Sequence, residues 1–412
     1  MKAEREVLHM TEHSLPATEK ISKGRTALFI IGMIWVAFNL RPAITSVGPL
    51  IGDIRQDLGI SNGLAGLLTT LPVLGFALFS LLAPKMGNRL GNERTVFLGL
   101  IILTSGIVIR SSGPIAAVFA GTALIGVGVA IGNVLLPGIV KHRFPEKTGM
   151  MTSIYSTSMG LFAAIASGVS IPLSRGLHLG WRRALLLWGI VGVIALILWV
   201  AQLGRKDRPD ISQSAADSTP LWRSPLAWQV SFFMGLQSFL FYCIIAWLPE
   251  ILSSQGMSRG MASWMLFGVQ FIGLPATFLA PVLADRFSHQ RGIVGVISLL
   301  YFLGLLGLFA SGNPVMAVLS VIFIGLAQGA SISLSLTMLS LRANHAKQAA
   351  ALSGMAQSFG YLLAAIGPIL TGFLYDATHS WTLPILSFLL VSFFMLMAGL
   401  GAGRNVTVFH EK

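Results

Sequence analysis

The sequence predicts an all-α membrane protein of twelve transmembrane helices in two pseudo-symmetric six-helix bundles. Three observations carry that expectation: a composition too apolar for water, a regular series of membrane-length apolar runs, and a pattern that recurs in the second half. Charged residues make up 10% of the 412 residues and apolar ones 54%, where a soluble domain carries about 25% charged. The mean hydropathy is +0.77. Too few polar residues are present to clothe a soluble surface of this size.

The elements follow in chain order. Residues 1–26 mix acids with bases, lack an early apolar stretch, and read as a cytoplasmic tail, not a signal peptide. Apolar runs long enough to cross the hydrocarbon core then fall at 27–51, 62–84, 95–110, 114–140, 149–174 and 182–202, forming a first bundle over 27–203. The third of these runs is the shortest. A polar linker occupies 204–225. Six further runs at 226–252, 259–284, 292–311, 314–341, 348–375 and 381–403 form the second bundle, 226–403, and 404–412 is a short tail. Runs of this length are helices, because barrel strands need only about 10 residues.

Loop charges set the orientation. Of the 28 Lys and Arg residues, 21 fall on the side of the N-terminus, six on the other side, and Arg41 within the first run. This bias places both termini in the cytoplasm of a multi-pass protein of the plasma or inner membrane. The net charge of +13 therefore reports topology. It forms no basic stripe with interleaved aromatics of the kind a nucleic-acid surface needs. His142, between Lys141 and Arg143, reads as an interfacial anchor.

The halves repeat. "APKMGNRLG" (83–91) after the second run corresponds to "APVLADRFS" (280–288) after the eighth. Gly126 matches Gly325 in the fourth and tenth runs, and Gly160 matches Gly360 in the fifth and eleventh. Duplicated bundles of this kind hold their solute near mid-membrane, between the halves.

These loops carry a resemblance. "PVLADRFS" resembles the G-x-x-x-D-R-x-G pattern of the major facilitator superfamily, with Asp285 and Arg286 in place, while Pro281 and Ser288 stand for glycines. The earlier copy keeps Arg89 and Gly91 but has Pro84 and Asn88 for the first glycine and the aspartate. The resemblance implies a cytoplasmic latch at Asn88, Arg89, Asp285 and Arg286; with Asn88 the first copy can keep a hydrogen bond but no ion pair. "NLRPAITSVGPL" (39–50), "NRLGNERT" (88–95) and "GNVLLPGIVKHRFP" (132–145) are similar to the cyanate permeases and 2-nitroimidazole transporters of that superfamily. The likeness covers most of the chain, and implies a small, often anionic or nitro-bearing solute.

Arg41 is the centre of the reading. An arginine at a helix centre costs about 2.5–3.5 kcal/mol even on a lenient scale. Of the 15 acids, 12 fall in loops or tails, and Glu250, Asp285 and Asp376 fall at span ends, so none lies at mid-membrane to neutralise it. Arg41 then either meets a soluble anion through bidentate bonds or caps the carbonyls freed by Pro42. Gln237, Gln270, Gln328 and Gln357 share one depth with Asn39, Asn133, Tyr155 and Tyr361. Each of these suits a small polar solute or an interhelical hydrogen bond. The expected substrate-binding set is Arg41, Asn39, Asn133, Tyr155, Gln237, Gln328, Gln357 and Tyr361.

No phosphate-binding loop, nucleophile–base pair or metal cluster is present, so no catalytic residues, cofactor or metal are expected and the chain is not read as an enzyme. The lone Cys243 reads as a small buried apolar side chain. The expected function is alternating-access transport, facilitative or secondary active, of a small anionic or polar solute resembling cyanate, nitrate or a nitroimidazole. The alternative is a multidrug exporter of hydrophobic compounds. Expected partners are the substrate, the bilayer and, if transport is coupled, a proton or counter-ion, with no nucleic acid and a monomeric state.

Overall fold

The structure is a computed structural model that describes residues 23–144, 148–203, 221–309, 313–343 and 346–408. Most of the expected linker lies outside these residues. Among the described residues eleven helices or helix groups are long and apolar enough to cross a membrane, and Arg291–Gly307 is a shorter apolar helix of 17 residues. At 1.5 Å per residue that helix still reaches about 26 Å. It occupies the ninth position, so the shortest span is the ninth; the third runs from Asn92 to Arg110, 19 residues. Thr95 and its neighbours extend that helix because Gly91, with φ of +91°, turns the chain before it.

Most helix limits have local causes. Ser61, Ser224 and Ser258 cap the second, seventh and eighth spans by accepting from Leu64, Ala227 and Met261 amides. Gly59, with φ of +64°, closes the first span in the left-handed conformation that glycine tolerates. The first span is broken. It runs as Lys23–Ala37, leaves helical geometry through 38–41, restarts over Pro42–Thr45, and ends as Ile51–Leu58 after a one-turn Gly48–Leu50 segment. Pro42 lacks the amide that would continue the ladder. Thr45 and Ser170 hydroxyls satisfy carbonyls across to the fifth span, at Ala163 and Ser46, over 3.1 and 3.0 Å.

The pseudo-symmetry is visible in packing. The second span crosses the fourth where Gly75 lies on Gly126, and the eighth crosses the tenth where Gly273 lies on Gly325. Gly160 and Gly360 are not equivalent: Gly360 packs on Gly235 of its own half, whereas Gly160 faces Leu274 of the other half.

The halves meet tightly at the end remote from the termini, the distal end. A Cβ on Gly48 would overlap the Ile245 carbonyl oxygen, and one on Gly66 would crowd Pro368. Asp53 of the first span binds Arg259 of the eighth at 2.5 Å and Arg175 of the fifth at 2.6 Å. The Asp376 carboxylate, on the eleventh span, accepts from the amides of Asn62 and Gly63 at 3.2 and 2.8 Å and from the Asn62 side chain. It thereby caps the second span from the opposite half. Further ties lie deeper, from Thr70 to the Ala365 carbonyl and from Gln270 to Ser167. Apart from Asp53–Arg175, which lies within the first half, these ties join the two halves, and they lie distally or near the middle. At the terminal end Arg89, Asp285 and Arg286 are exposed.

Four charges assigned to loops are instead buried. Arg143 pairs with Glu93 at 3.0 Å, and both side chains are about 95% shielded. Arg342 donates to the Ala402 carbonyl and to Gln290. Arg110 is 1% exposed and donates to the Ala43 carbonyl at 2.6 Å. These residues end their apolar runs, and the helices carry them back into the packed bundle.

Candidate functional site

The break in the first span gives Arg41 its position. Its carbonyl accepts from the Ile44 and Thr45 amides. Its side chain is half-buried and forms no hydrogen bond or ion pair with any described residue. The guanidinium lies over the ring of Phe241, 4.7 Å from the centroid. Phe241 belongs to the seventh span, so this contact crosses between the halves. A cation over an aromatic face gains about 0.5–2 kcal/mol, which steadies the guanidinium without using its donors. The alternative use of Arg41, capping carbonyls beside Pro42, falls to Arg110, which takes the Ala43 oxygen. Arg41 is thus not the only cation in this region, but it is the one facing the opposite half.

Aromatic side chains wall the position. Phe241 meets Tyr242 edge-on at 5.1 Å, Phe76 of the second span meets Tyr361 of the eleventh edge-on at 5.3 Å, and Phe76 also approaches Tyr242 at 6.4 Å. On the other side Phe38 stacks on Phe162 at 3.5 Å. Aromatic side chains of the second, seventh and eleventh spans thus form one linked group, of which Phe241 meets the guanidinium.

The structure sorts the expected site residues. Arg41 lies on Phe241, and Tyr361 belongs to the aromatic group linked to Phe241 through Tyr242 and Phe76. Gln237 lies one turn before Phe241, hence on the same helix face, and is 1% exposed. Its Nε2 donates to Ser238, while its Oε1 has no partner among the described residues. Gln328, 4% exposed, likewise has an Nε2 without one. Leaving such a group unmet costs about 1–3 kcal/mol. Asn133 follows Gly132, whose Cα packs on Leu40, so it lies at the depth of the break. Tyr155 is two turns from Phe162 toward the terminal end, and Gln357 bonds Ser353 of its own helix at 2.7 Å; neither hydrogen-bonds Arg41.

Two amides are occupied elsewhere. Asn39 donates to the Trp35 and Val191 carbonyls at 2.8 and 3.3 Å, tying the first span to the sixth. Gln270 donates to Ala163 and Ser167, tying the eighth to the fifth. Both act as interhelical glue, the second of the two roles open to them. The latch expected at the terminal end is not formed by Arg89, Asp285 or Arg286, which make no ion pair among the described residues; the Asn88 side chain lies outside them. Phe76, Phe241 and Tyr242 were not anticipated. The available signal was "FLFYC" (239–243), a tyrosine one turn past Gln237 in an otherwise apolar run.

Comparison with known proteins bears on the family and the fold. A family model described as Major Facilitator Superfamily matches residues 27–258 and 230–404. The chain is 56% identical to the uncharacterized transporter YycB of Bacillus subtilis, covering 93% of this chain and 95% of that one. It is 41% identical to the 2-nitroimidazole transporter of Escherichia coli, over 94% and 98% of the two chains. It is 28% identical to the cyanate transport protein CynX of Escherichia coli, over 85% and 91%. Among solved structures, a D-xylose–proton symporter superposes with a TM-score of 0.76 at 16% identity, over 94% of this chain and 98% of that one.

Proposed function

This chain belongs to the Major Facilitator Superfamily, and from that premise we propose that it carries a small, planar, anionic or nitro-bearing solute past Arg41 by alternating access. Membership makes it a multi-pass membrane transporter and not an enzyme. The single observation that carries the finer reading is the Arg41 guanidinium. It stands between the halves over Phe241 with its donors uncommitted. A cation already paired with a carboxylate would have little left for a solute; this one keeps its fork for bidentate recognition.

The walls narrow the chemistry. Phe76, Phe241, Tyr242 and Tyr361 offer aromatic faces and edges, which suit a flat, delocalised solute. Gln237 and Gln328 each offer one uncommitted amide atom, an acceptor and a donor. A nitroheteroaromatic uses all three features, and a linear pseudohalide such as cyanate uses the cation alone. The names of the 41% and 28% identical relatives support both solutes. The multidrug alternative finds no support in them.

With the termini in the cytoplasm, as the loop charges favour, the sealed distal end faces outward. The described arrangement is then an inward-facing state, with Asp53, Asp376 and their partners as the outer gate.

Replacing Arg41 tests the reading. A charge-assisted bond contributes about 1.5–3 kcal/mol, or roughly 10–150-fold in affinity. Arg41→Ala is expected to reduce transport at least tenfold, with normal membrane insertion. Arg41→Lys, which keeps the charge and loses the fork, is expected to fall between. Thermal-shift titration of purified protein with cyanate, nitrate, nitrite and 2-nitroimidazole identifies the class, because ligands of the folded state raise its melting temperature. Equal shifts in wild type and Arg41→Ala would sink the assignment.

A further inference from the structure

We infer that the terminal end of the second half carries a headgroup site for an anionic phospholipid, between the ninth and twelfth spans. A cavity of about 360 Å³ opens there, lined by Ser288, His289, Arg291, Arg404 and Asn405. Among the described residues no carboxylate lines it, and Asp285, the described acid nearest along the chain, is exposed and makes no ion pair with these residues.

Both guanidinium groups are held in place by bonds that leave donors free. Arg291 Nε donates to the Leu400 carbonyl at 3.1 Å. Arg404 Nε donates to the Gly401 carbonyl at 3.0 Å, and a terminal nitrogen donates to Gln229 at 3.2 Å. Anchoring through Nε fixes direction, and the remaining N–H groups suit phosphate oxygens. The ninth-span helix also begins at Arg291, so its first amides lack acceptors within the helix and add to the same field.

The two halves differ in how the buried arginine behind this end is met. In the first half, buried Arg143 is neutralised by Glu93. The corresponding pair in the second half is Arg342 with Gln290, an amide where the first half has an acid. Arg342 is 3% exposed and lies behind the cavity, bonded to Ala402 and Gln290. Among the described residues its charge is met by neutral groups alone, and adds to those of Arg291 and Arg404 in front.

The surroundings favour a lipid over a free ion. One to two turns into the membrane from Arg291 and Arg404, Val296, Leu299 and Met397 are each more than half exposed, a surface fit for acyl chains. On the chain leading to Gln229, Trp222 is exposed and its carbonyl accepts from the Trp228 indole at 2.7 Å. Such tryptophans sit at the headgroup level. Basic pockets between helices on the cytoplasmic side are where anionic headgroups bind.

The test uses the full chain, purified in neutral detergent. Phosphatidylglycerol, phosphatidylcholine, or phosphatidylcholine plus inorganic phosphate at matched phosphate concentration is added, and melting temperature and lipid retained in native mass spectrometry are measured. Phosphatidylglycerol is expected to raise the melting temperature by several degrees over phosphatidylcholine, and to remain bound. Arg291→Gln/Arg404→Gln is expected to lose most of that gain, and Arg291→Lys/Arg404→Lys to keep it. Lys85→Gln/Arg89→Gln, on the same end of the other half, is expected to keep it as well. An equal gain in the glutamine variant, no gain in wild type, or an equal gain from inorganic phosphate would overturn the assignment.

Discussion

Arg41 and Arg110 divide between them two tasks that the broken first span creates. A break at Pro42 leaves carbonyls without helical donors, and a transport site needs a cation whose donors are unspent. Arg110 reaches in from the third span and takes the Ala43 carbonyl, which leaves Arg41 to face the opposite half. Removing the donor from beneath Ala43 costs about 1–3 kcal/mol for the orphaned oxygen. Arg110→Met is therefore expected to lower the melting temperature, and Arg110→Gln, whose amide can still donate, to lower it less. A methionine variant as stable as wild type would show that the Ala43 bond contributes nothing. Arg41 was legible in the sequence because placing the acids one by one left it without a partner. Arg110 was not, because a basic residue at the end of an apolar run looks the same whether it points to water or back into the bundle.

In the alternation proposed above, glycines set where elements of the two halves can close on each other. Gly48 and Gly66 bring the first and second spans against main chain of the seventh and eleventh, where even a Cβ would collide with Ile245 or Pro368. These are contacts between halves, unlike Gly75 on Gly126 or Gly273 on Gly325, which join helices within one half. Bulk at the first kind of position obstructs closure of the distal end, whereas bulk at the second weakens a bundle. Gly48→Val and Gly66→Val are expected to fold yet lose most transport, with distal positions such as Gln56 labelled more readily by a thiol reagent once changed to cysteine. Gly126→Val is expected to reduce expression. If both classes only reduced expression, the glycines would be packing positions alone. The helices and the second-to-fourth, eighth-to-tenth symmetry were readable from apolar runs and matched glycines. Which glycines faced the other half was not, since small residues look alike at every close contact.

For the whole molecule, the question is what holds the distal end shut. Exposed ion pairs contribute about 0–1 kcal/mol each, so Asp53 with Arg175 and Arg259 acts as a light clasp. Asp376 is worth more per group, because its carboxylate meets two amides at the start of the second span as well as the Asn62 side chain. Charge at that position also favours the helix dipole. The two clasps lie on different helix pairs, first with eighth and second with eleventh, so the proposed alternation requires both to open. A transporter needs its two states within a few kcal/mol of each other, and clasps of this strength suit that requirement. Neutralising both, in Asp53→Asn/Asp376→Asn, is expected to shift the population toward a distally open state. The single cysteine, Cys243, is buried and can be replaced, so spin labels at Gln56→Cys and Ser258→Cys report the distance across the gate by electron–electron dipolar spectroscopy. The double variant should show a longer component that wild type lacks, and solute binding at Arg41 should change its share. An unchanged distance distribution would mean that the glycine contacts alone keep the distal end closed.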